Sequence, residues 1–369
     1  MLNPNKILLK TLSNRLGRSA NQLELAPRIK TIGGNLPELS DSEKRAIFGI
    51  WEQIGGGNLN LDYWRFYKAM GIFSPSLVPD NIYWSKIIRA LNPVSLTRTY
   101  INKNLYPIIF KGIRQPHVLL NVINGEMYDV DMHRIDLNSA INILRSYDDD
   151  IIIKPTTATS GGRGISKIAS HAPVDEIKRV LGEYGKNYIC QGIVRQSQST
   201  AVFNSTSLNT FRVNTINING RTTCECLMMR HGLQGSVVDN FAVGGVVCGM
   251  TKDGAYNGKN YNTKLQQLTH LQDKTQYKEL SVPNISAVLT AAIDSHQRYM
   301  PHIGHAAWDF ALDENEQPVM IEVNLMLPGI LMEQLSSGHS IFGDRTEEVI
   351  QYALDRNKNM QWTEFVGGW

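Results

Sequence analysis

Two acidic residues in the last third of the chain have the spacing of a paired site. Asp309 lies in the run HAAWDFAL and Glu322 in VMIEVN, and the turn-forming residues 313–318 separate the two runs. If the turn is centred between Asn315 and Glu316, an antiparallel hairpin pairs Asp309 directly with Glu322. Like charges in directly opposite positions destabilise a sheet. We therefore expect a cation to lie between the two strands.

Strand periodicity also predicts which side chains accompany the two acids. Successive side chains of a strand alternate between its faces, so Asn324 is expected beside Asp309 and Glu322. The opposite face is expected to hold Trp308, Phe310, Leu312, Val319, Ile321, Val323 and Leu325. Mg2+ is typically bound by few carboxylates together with substrate phosphates. The hairpin therefore predicts a metal–nucleotide site; a solvated face that carries two acids is the alternative interpretation.

A second stretch with chemical character begins at Lys154. This lysine ends an apolar strand and is followed by PTTATSGGRG, a loop rich in hydroxyl groups and glycine. Such a loop can bring its amides around phosphate oxygens, because glycine tolerates positive φ and has no side chain to block the approach. Lys154 can then meet the α- and β-phosphates as a point charge. The loop matches neither a Walker A motif nor a Rossmann fingerprint. A mobile surface turn is the alternative, and the downstream acidic hairpin favours the phosphate site.

Isolated charges occur in the strands between these two motifs. Arg212 stands alone in an uncharged strand, where it can clamp a γ-phosphate or an acyl phosphate, or make a structural salt bridge. Arg230 and His231 follow in the next strand and can add positive charge, although His231 alone is more typical of a surface. Asp239 and Asn240, in a glycine-flanked loop, can orient a nucleophile or cap a turn.

Length and composition limit the classes of protein. A chain of 369 residues allows two or three domains, and its net charge of +3 is too small to indicate nucleic-acid binding. The first ten residues lack the apolar core of a signal peptide, and the apolar run 241–250 is too short to cross a bilayer. The four cysteines lack a zinc-site spacing, which predicts buried free thiols and a cytoplasmic protein.

The secondary-structure signals change along the chain. Residues 1–100 are expected to be mostly helical, with Ser40 and Glu43 forming a capping box, and to act as a cover or docking element. Strand signals dominate after residue 102, and Asn219-Gly220 predicts a tight hairpin. Helices mixed with mostly antiparallel strands in separate blocks predict an α+β architecture.

In the order of these features the chain resembles the ATP-grasp superfamily over about residues 95–355. It is most similar to the sugar-transfer-associated ATP-grasp family, and residues 207–213, 235–241 and Gly244-Gly245 carry that match. The resemblance implies an ATP-grasp fold, with two α+β lobes that grip ATP after a helical region. The expected divisions are residues 1–100, 101–190 with the glycine-rich flap, and 191–369 with the magnesium site.

The resemblance also implies roles for individual residues. Lys103 and Lys154 would bind the α- and β-phosphates, with Lys111 as the alternative to Lys103 because Asn102 replaces the usual acid. The flap over the triphosphate would consist of Ser160, Gly161, Gly162 and Gly164, and backbone groups of Gln191, Gly192 and Ile193 would read the adenine edge. The residues expected to hold one or two Mg2+ ions, or Mn2+ in their place, are Asp309, Glu322 and Asn324. Those assigned to the reacting groups are Arg212, Arg230, Asp239 and Asn240.

These assignments predict an ATP-dependent carboxylate–amine ligase. A substrate carboxylate would attack the γ-phosphate to give an acyl phosphate, and an amine would then form the amide. The chemistry needs positioning and charge neutralisation more than a covalent catalyst. The family resemblance places the reaction in polysaccharide or related metabolite biosynthesis, with substrates that include a sugar-linked molecule. A kinase for a hydroxyl acceptor and a non-catalytic nucleotide-binding partner protein are the alternatives.

Overall fold

A computed structural model describes residues 4–56, 59–156, 164–233 and 244–367. Helices precede the first strand, as the sequence predicts. They are α1 (Pro4–Ala20), α2 (Ala26–Thr31), α3 (Asp41–Gly55), α4 (Asp62–Ala69), α5 (Asp80–Ile82), α6 (Ile88–Leu91), α7 (Val94–Tyr100) and α8 (Tyr106–Ile109), with π-helical segments Asn21–Leu25 and Tyr83–Ile87 and a 3-10 turn Lys103–Leu105. The predicted capping box begins α3, where Ser40 and Glu43 satisfy each other's backbone N–H groups.

The first sheet has six strands and two helices beside it. Its elements are β1 (Val118–Ile123), β2 (Glu126–Tyr128), β3 (Arg134–Ile135), α9 (Leu137–Arg145), β4 (Ile151–Pro155), β5 (Ser166–Ile168), α10 (Val174–Glu183) and β6 (Tyr188–Gly192). The strand order is β3-β2-β1-β6-β4-β5. Apolar side chains of β1, β4 and β6 pack against α9 and α10 in a common core. Lys154 lies near the end of β4, where this sheet meets the glycine-rich loop.

The second sheet also has six strands, and its neighbouring strands are antiparallel. Its elements and those that follow are α11 (Gln198–Ala201), β7 (Thr210–Ile218), β8 (Arg221–His231), β9 (Val246–Met250), β10 (Tyr256–Tyr261), α12 (Ile285–Tyr299), β11 (His305–Leu312), β12 (Pro318–Asn324), α13 (Leu331–Ser337), α14 (Thr346–Asn359) and α15 (Trp362–Val366), with 3-10 turns Tyr277–Glu279 and Gly343–Arg345. The strand order is β10-β9-β8-β7-β11-β12. Asn219 and Gly220 join β7 to β8 with positive φ at both residues, which confirms the predicted tight hairpin.

Both faces of the second sheet are covered. One face packs with α12 around Phe211, Trp308 and Phe310. The other face shares a core with α13, α14 and the amino-terminal helices. The amino-terminal region is therefore continuous with the second sheet's core, and the predicted α+β architecture is confirmed. In the described part of the chain no helix has the length and apolar character needed to span a membrane.

A β-bulge distinguishes the acidic hairpin from its predicted form. Asp309 pairs with Glu322 as predicted, but Phe310 pairs with Met320, so Ile321 is the extra residue. Met320 rather than Ile321 is therefore directly opposite Phe310, and Ile321 is only partly buried. The predicted placement of Val319 beside Trp308 and Phe310 is wrong for the same reason, because Val319 pairs with Ala311. The turn is centred on Asn315 rather than between Asn315 and Glu316. The extra residue Ile321 compensates for this difference, so Asp309 is still opposite Glu322.

The contact between Gly304 and Leu91 ties the amino-terminal helices to the second sheet and can be tested. A Cβ at Gly304 would lie 2.8–3.0 Å from Leu91 atoms, and the Gly304 N–H donates to the Leu91 carbonyl at 2.8 Å. We expect Gly304→Ala to lower the free energy of unfolding by about 1–3 kcal/mol through overpacking. Denaturant unfolding measures this change. Gly49→Ala is the control: no atom lies within 4 Å of its added Cβ, and removing a helical glycine raises stability by about 0.5–1 kcal/mol. Equal effects of the two substitutions would contradict the packing described here.

Candidate functional site

A row of three charged residues crosses the polar face of the second sheet. Arg212 of β7 is in register with Asp309 of β11, and Asp309 is in register with Glu322 of β12. Residues in register on neighbouring strands have their side chains on the same face. The predicted face-to-face placement of the two acids is confirmed, and the sheet adds a guanidinium to the same row.

The carboxylate of Asp309 is buried between two arginines. The Arg212 Nε donates to Asp309 Oδ1 at 2.5 Å, and Arg212 Nη2 donates to Oδ2 at 3.0 Å. Arg230 Nη2 lies 3.0 Å from the same Oδ2. Burial alone would lower the pKa of Arg212, but the adjacent Asp309 raises it above its usual value. The structural salt bridge that the sequence left open for Arg212 therefore exists, and its role toward a phosphate stays a prediction.

Glu322 faces a different cation, the ammonium of Lys103. Lys103 Nζ lies 2.9 Å from Glu322 Oε2. Although burial acts to raise it, the pKa of Glu322 is well below its usual value because of Lys103. The Glu322 side chain is 30% exposed, whereas that of Asp309 is 2% exposed. The cations that the described residues place beside the two acids are thus protein side chains, and a ligand would reach Glu322 before Asp309.

A divalent cation fits part of the predicted ligand set. Asn324 Nδ2 donates to Asp309 Oδ2 and to Glu322 Oε1, each at 3.3 Å, which leaves the amide oxygen for a metal. Glu322 is a hard oxygen ligand at the accessible end of the row. Asp309 could join only if its arginines moved. No group of three or more His, Cys, Asp or Glu residues in the described part of the chain could hold a metal. Phosphates of a ligand would therefore have to complete the coordination.

Lys103 and Lys154 come close to each other from different elements. The Lys103 N–H donates to the Thr156 carbonyl at 3.2 Å, which fixes the Lys103 turn to the end of β4. The half-buried Lys154 ammonium has no hydrogen-bond or ion-pair partner in the part of the chain that the structure describes. Burial, and then the charge of Lys103, lower the pKa of Lys154 to about 8. Lys111, the alternative first lysine, is exposed.

The residues predicted to read adenine lie in and just after the central strand β6. Gly192 N–H donates to the His117 carbonyl at 2.8 Å and Ile193 N–H to the Asp150 carbonyl at 3.1 Å. A ligand at these two positions would therefore have to use their carbonyl groups. Gln191 is buried, and its Oε1 has no hydrogen-bond partner among the described residues. The adenine assignment stays a prediction.

Several predicted site residues lie outside the described part of the chain. They are Ser160, Gly161 and Gly162 of the flap, and Asp239 and Asn240. Gly164, the last flap residue, is described: it has a φ of +77°, and its carbonyl accepts a hydrogen bond from the Tyr184 hydroxyl at 2.6 Å. Positive φ at this position is the conformation that favours glycine.

His231 does not belong to the charged row, which corrects both interpretations of this residue. It is buried on the opposite face of β8, where Nε2 contacts the Tyr277 hydroxyl at 2.8 Å and Nδ1 contacts the Gly232 carbonyl at 2.9 Å. Burial lowers the pKa of His231 to about 4, so the ring is neutral near pH 7. It therefore neither adds positive charge nor lies on the surface.

Two members of the site were not predicted from the sequence. Glu333 of α13 contacts Arg212, with Oε1 3.3 Å from Nη1. The Thr210 hydroxyl accepts from Arg230 Nη2 at 2.9 Å. The available signal for Glu333 was its position as the one acid in the apolar run GILMEQL. Such an acid needs a cationic partner when the run is buried.

The buried arginine gives a testable stability prediction. Arg212→Met would leave Glu333 without its contacting cation and Asp309 with Arg230 alone, so we expect the free energy of unfolding to fall by about 3–5 kcal/mol. The control is Arg195→Met, because Arg195 pairs with Asp149 at 2.8 Å in an exposed position. Its loss should cost less than about 1 kcal/mol. Denaturant unfolding compares the two variants, and equal losses would show that the row is not a buried charge pair.

Comparison with solved structures finds similar folds at low identity. One is biotin carboxylase from Campylobacter jejuni, with 12% identity, a TM-score of 0.47, and coverage of 92% of this chain and 68% of that chain. Another is D-cycloserine synthetase DcsG, with 12% identity, a TM-score of 0.45, and coverage of 86% and 95%. The L-amino acid ligase from Bacillus licheniformis has 14% identity, a TM-score of 0.41, and coverage of 74% and 51%. This chain thus spans about half the length of that ligase.

Sequence comparison is more decisive about the family. No curated protein matches the chain. The profile of the family described as sugar-transfer-associated ATP-grasp matches residues 84–350, which is more than half of the chain. That match includes both lysines, the charged row and the acidic hairpin. The chain therefore belongs to the sugar-transfer-associated ATP-grasp family.

Proposed function

We propose that the protein is an ATP-dependent carboxylate–amine ligase that forms an acyl phosphate. The observation that carries the proposal is the placement of Lys154, whose ammonium has no hydrogen-bond or ion-pair partner among the described residues, beside the pair formed by Lys103 and Glu322. An unpaired, half-buried ammonium is costly unless an anion joins it. A nucleoside triphosphate is the anion that members of an ATP-grasp family bind.

The pair formed by Lys103 and Glu322 can rearrange when phosphates enter. If Lys103 exchanges the Glu322 carboxylate for a phosphate oxygen, Glu322 becomes available to a divalent cation. Glu322 and Asn324 would hold that Mg2+ ion, with Asp309 completing the set if its arginines turn away. When bound, Mg2+ neutralises phosphate charge and orients the β- and γ-phosphates.

Two arginines can stabilise the negative charges of the reacting groups. Arg212 and Arg230 place their guanidinium groups beside Asp309, where they can pair with a substrate carboxylate or with an acyl phosphate. An oxygen of the substrate carboxylate attacks the γ-phosphorus, and the bond to the β-phosphate oxygen breaks to release ADP. The amine nitrogen then attacks the acyl carbon and loses a proton, and inorganic phosphate leaves.

No protein nucleophile is needed in this scheme. The four cysteines are buried free thiols, as predicted, and burial raises the pKa of each. The family description indicates an association with sugar transfer. We infer that one of the two substrates is sugar-linked and that the reaction serves polysaccharide or related metabolite biosynthesis.

Hydroxylamine trapping tests the reaction class. Hydroxylamine replaces the amine substrate and converts an acyl phosphate into a hydroxamate. A carboxylate that is a substrate should therefore give ADP and hydroxamate in equal amounts when it is incubated with MgATP and hydroxylamine. We expect Glu322→Gln to lower the rate of ADP formation by about 100-fold or more. Glu314→Gln, at the exposed turn of the same hairpin, is the matched control and should retain the rate. ADP formation that requires a hydroxyl acceptor would indicate a kinase. ATP binding without turnover would indicate a nucleotide-binding partner protein.

The lowered pKa of Lys154 predicts that ATP binding is coupled to proton uptake. Its pKa of about 8 lies below the usual value for lysine, so part of the population is neutral at pH 8. Phosphate binding favours the charged form and raises this pKa, so ATP binding at pH 8 should take up protons. Isothermal titration in two buffers of different ionisation enthalpy measures the uptake.

The variants of Lys154 and Lys111 complete this test. Lys154→Met should abolish the uptake and weaken ATP binding by about 10- to 100-fold, the loss of a charge-assisted contact. Lys111→Met removes an exposed lysine and should change neither quantity. Proton uptake that survives in Lys154→Met would assign the titration to another group.

A further inference from the structure

The positive charge of this chain is concentrated in its first helical segments. Residues 1–31 contain six basic side chains and one acidic side chain, which is a net charge of +5. Because the whole chain has a net charge of +3, residues 32–369 have a net charge of −2. Such an asymmetry indicates a surface for an acidic partner. The proposed ligase reaction uses none of the basic side chains in residues 1–31.

Four of these cations are exposed on α1 and have no acidic partner in the structure. They are Lys6, Lys10, Arg15 and Arg18. None of the four makes an ion pair or a side-chain hydrogen bond with any residue that the structure describes. By contrast, the exposed Arg179 pairs with Glu183 in the next turn of α10. The outer face of α1 is thus a cationic face without counter-ions of its own.

The acids of the elements that pack most closely against α1 do not neutralise this face. Glu24, in the π-helical segment after α1, lies 3.0 Å from Arg28 Nη1. Glu364 of α15 accepts a hydrogen bond from the Gln361 N–H at 2.8 Å, and Asp80 of α5 is buried. These described neighbours therefore leave the positive charge of α1 uncompensated, and an external anion can pair with it.

The opposite face of α1 is fixed to the rest of the protein. Ser13 Oγ donates to the Ser85 carbonyl at 3.2 Å. The Asn5 side chain donates to the Met360 carbonyl at 3.3 Å and accepts from the Trp362 N–H at 2.7 Å. Three leucines at helical spacing are partly buried on the same side: Leu9, Leu12 and Leu16. These contacts hold the cationic face outward.

Exposed apolar side chains accompany the cations. Ile7 is 48% exposed and Leu8 is 43% exposed. Lys10 is three residues after Ile7 and Arg15 is seven residues after Leu8, so both kinds of side chain share one side of the helix. The aliphatic side chains gain nothing from the phosphates of a nucleic acid. At a bilayer they leave water while the cations meet lipid phosphates, so this combination favours a membrane surface.

The segment that continues α1 extends the same character. Leu23 is 64% exposed, and no large apolar side chain in the described part of the chain is more exposed. Lys30, in the last turn of α2, is also exposed. The cationic and apolar surface therefore does not end with α1.

We propose that the outer face of α1 docks on an anionic membrane surface. Its four cations contact lipid phosphates, and Ile7 and Leu8 enter the boundary between headgroups and acyl chains. The helix lies in the plane of this boundary, because its inner face stays packed on the protein. The attachment is peripheral, and the proposal does not depend on the ligase function.

Vesicle flotation with the full chain tests the docking. The probes are vesicles of equal parts phosphatidylglycerol and phosphatidylcholine, and vesicles of phosphatidylcholine alone. We expect binding to the anionic vesicles and not to the neutral ones. The affinity should fall about tenfold or more when the salt concentration rises from about 0.05 M to about 0.5 M, because salt screens exposed charges.

Substitutions of the cations should weaken vesicle binding. Lys6→Gln combined with Lys10→Gln should weaken it by about 10- to 30-fold, because each cation near an anionic surface contributes a factor of about five. Lys178→Gln combined with Lys264→Gln is the matched control, since it removes the same charge from two exposed lysines outside α1. The control should change the affinity less than about twofold.

Substitutions of the apolar side chains test the insertion separately. Ile7→Gln combined with Leu8→Gln should weaken binding by about tenfold, because two half-exposed side chains no longer leave water. The control is Val130→Gln combined with Leu137→Gln, which changes apolar side chains of similar exposure elsewhere. All of these side chains are exposed, so each variant should keep the wild-type melting temperature.

The outcomes separate this proposal from the ligase function. Absence of binding to the anionic vesicles, or equal binding to both kinds of vesicle, would overturn the membrane surface. Equal losses in the α1 variants and their controls would overturn it as well. Binding of a double-stranded DNA oligonucleotide in place of vesicles would assign the cations to nucleic acid instead. Hydroxamate formation in solution reports on the ligase function in every case, because α1 contributes no residue to the charged row.

Discussion

The buried carboxylate of Asp309, held by Arg212 and Arg230, is the interaction on which the site depends. Asp309 is 1% exposed, and the two guanidinium groups replace the hydration that burial removes. The antiparallel register of β8, β7 and β11 supplies that arrangement directly. Because Asp309 is buried and paired with two arginines, Glu322 in the next strand is the more accessible acid. The charge pair therefore fixes which of the two carboxylates faces a ligand.

The remaining parts of the site come from elements far apart in the sequence. Lys103 belongs to a 3-10 turn before the first sheet, and its N–H is bonded to Thr156 just after β4. This contact places the Lys103 ammonium between the first sheet and Glu322 of the second. The amino-terminal helices share a core with the polar side of the second sheet, which brings Glu24 near the loop after β12. A region without recognisable motifs thus packs against the sheet that carries the charged row.

Local patterns were sufficient for the elements but not for the partners of the charged groups. The pairing of Asp309 with Glu322 followed from strand periodicity and from a short turn-rich connection. The position of Met320, rather than Ile321, opposite Phe310 could not be predicted. A β-bulge changes which side chains of one strand face the core, and the composition of the strand does not indicate it. His231 was predictable in principle, since it follows Arg230 directly in a strand and must point to the opposite face.

The counter-ions show most clearly what one sequence leaves open. The sequence led us to expect a cation between the acids, but it did not indicate that Arg212 and Arg230 would occupy that position beside Asp309. Ion pairs between residues about a hundred positions apart depend on the tertiary register, which local periodicity does not specify. Glu333 was missed for the same reason, because its partner Arg212 comes from another element.

We propose that a metal-bound nucleotide lies between the two lysines and Glu322. Crystals grown with Mn2+ and a non-hydrolysable ATP analogue test it directly through the anomalous signal of manganese. We predict an anomalous peak at coordination distance from the Glu322 carboxylate, with phosphate density between Lys103 and Lys154. Nucleotide density elsewhere, or a manganese peak remote from Glu322 while Lys103 stays paired with that carboxylate, would contradict the account.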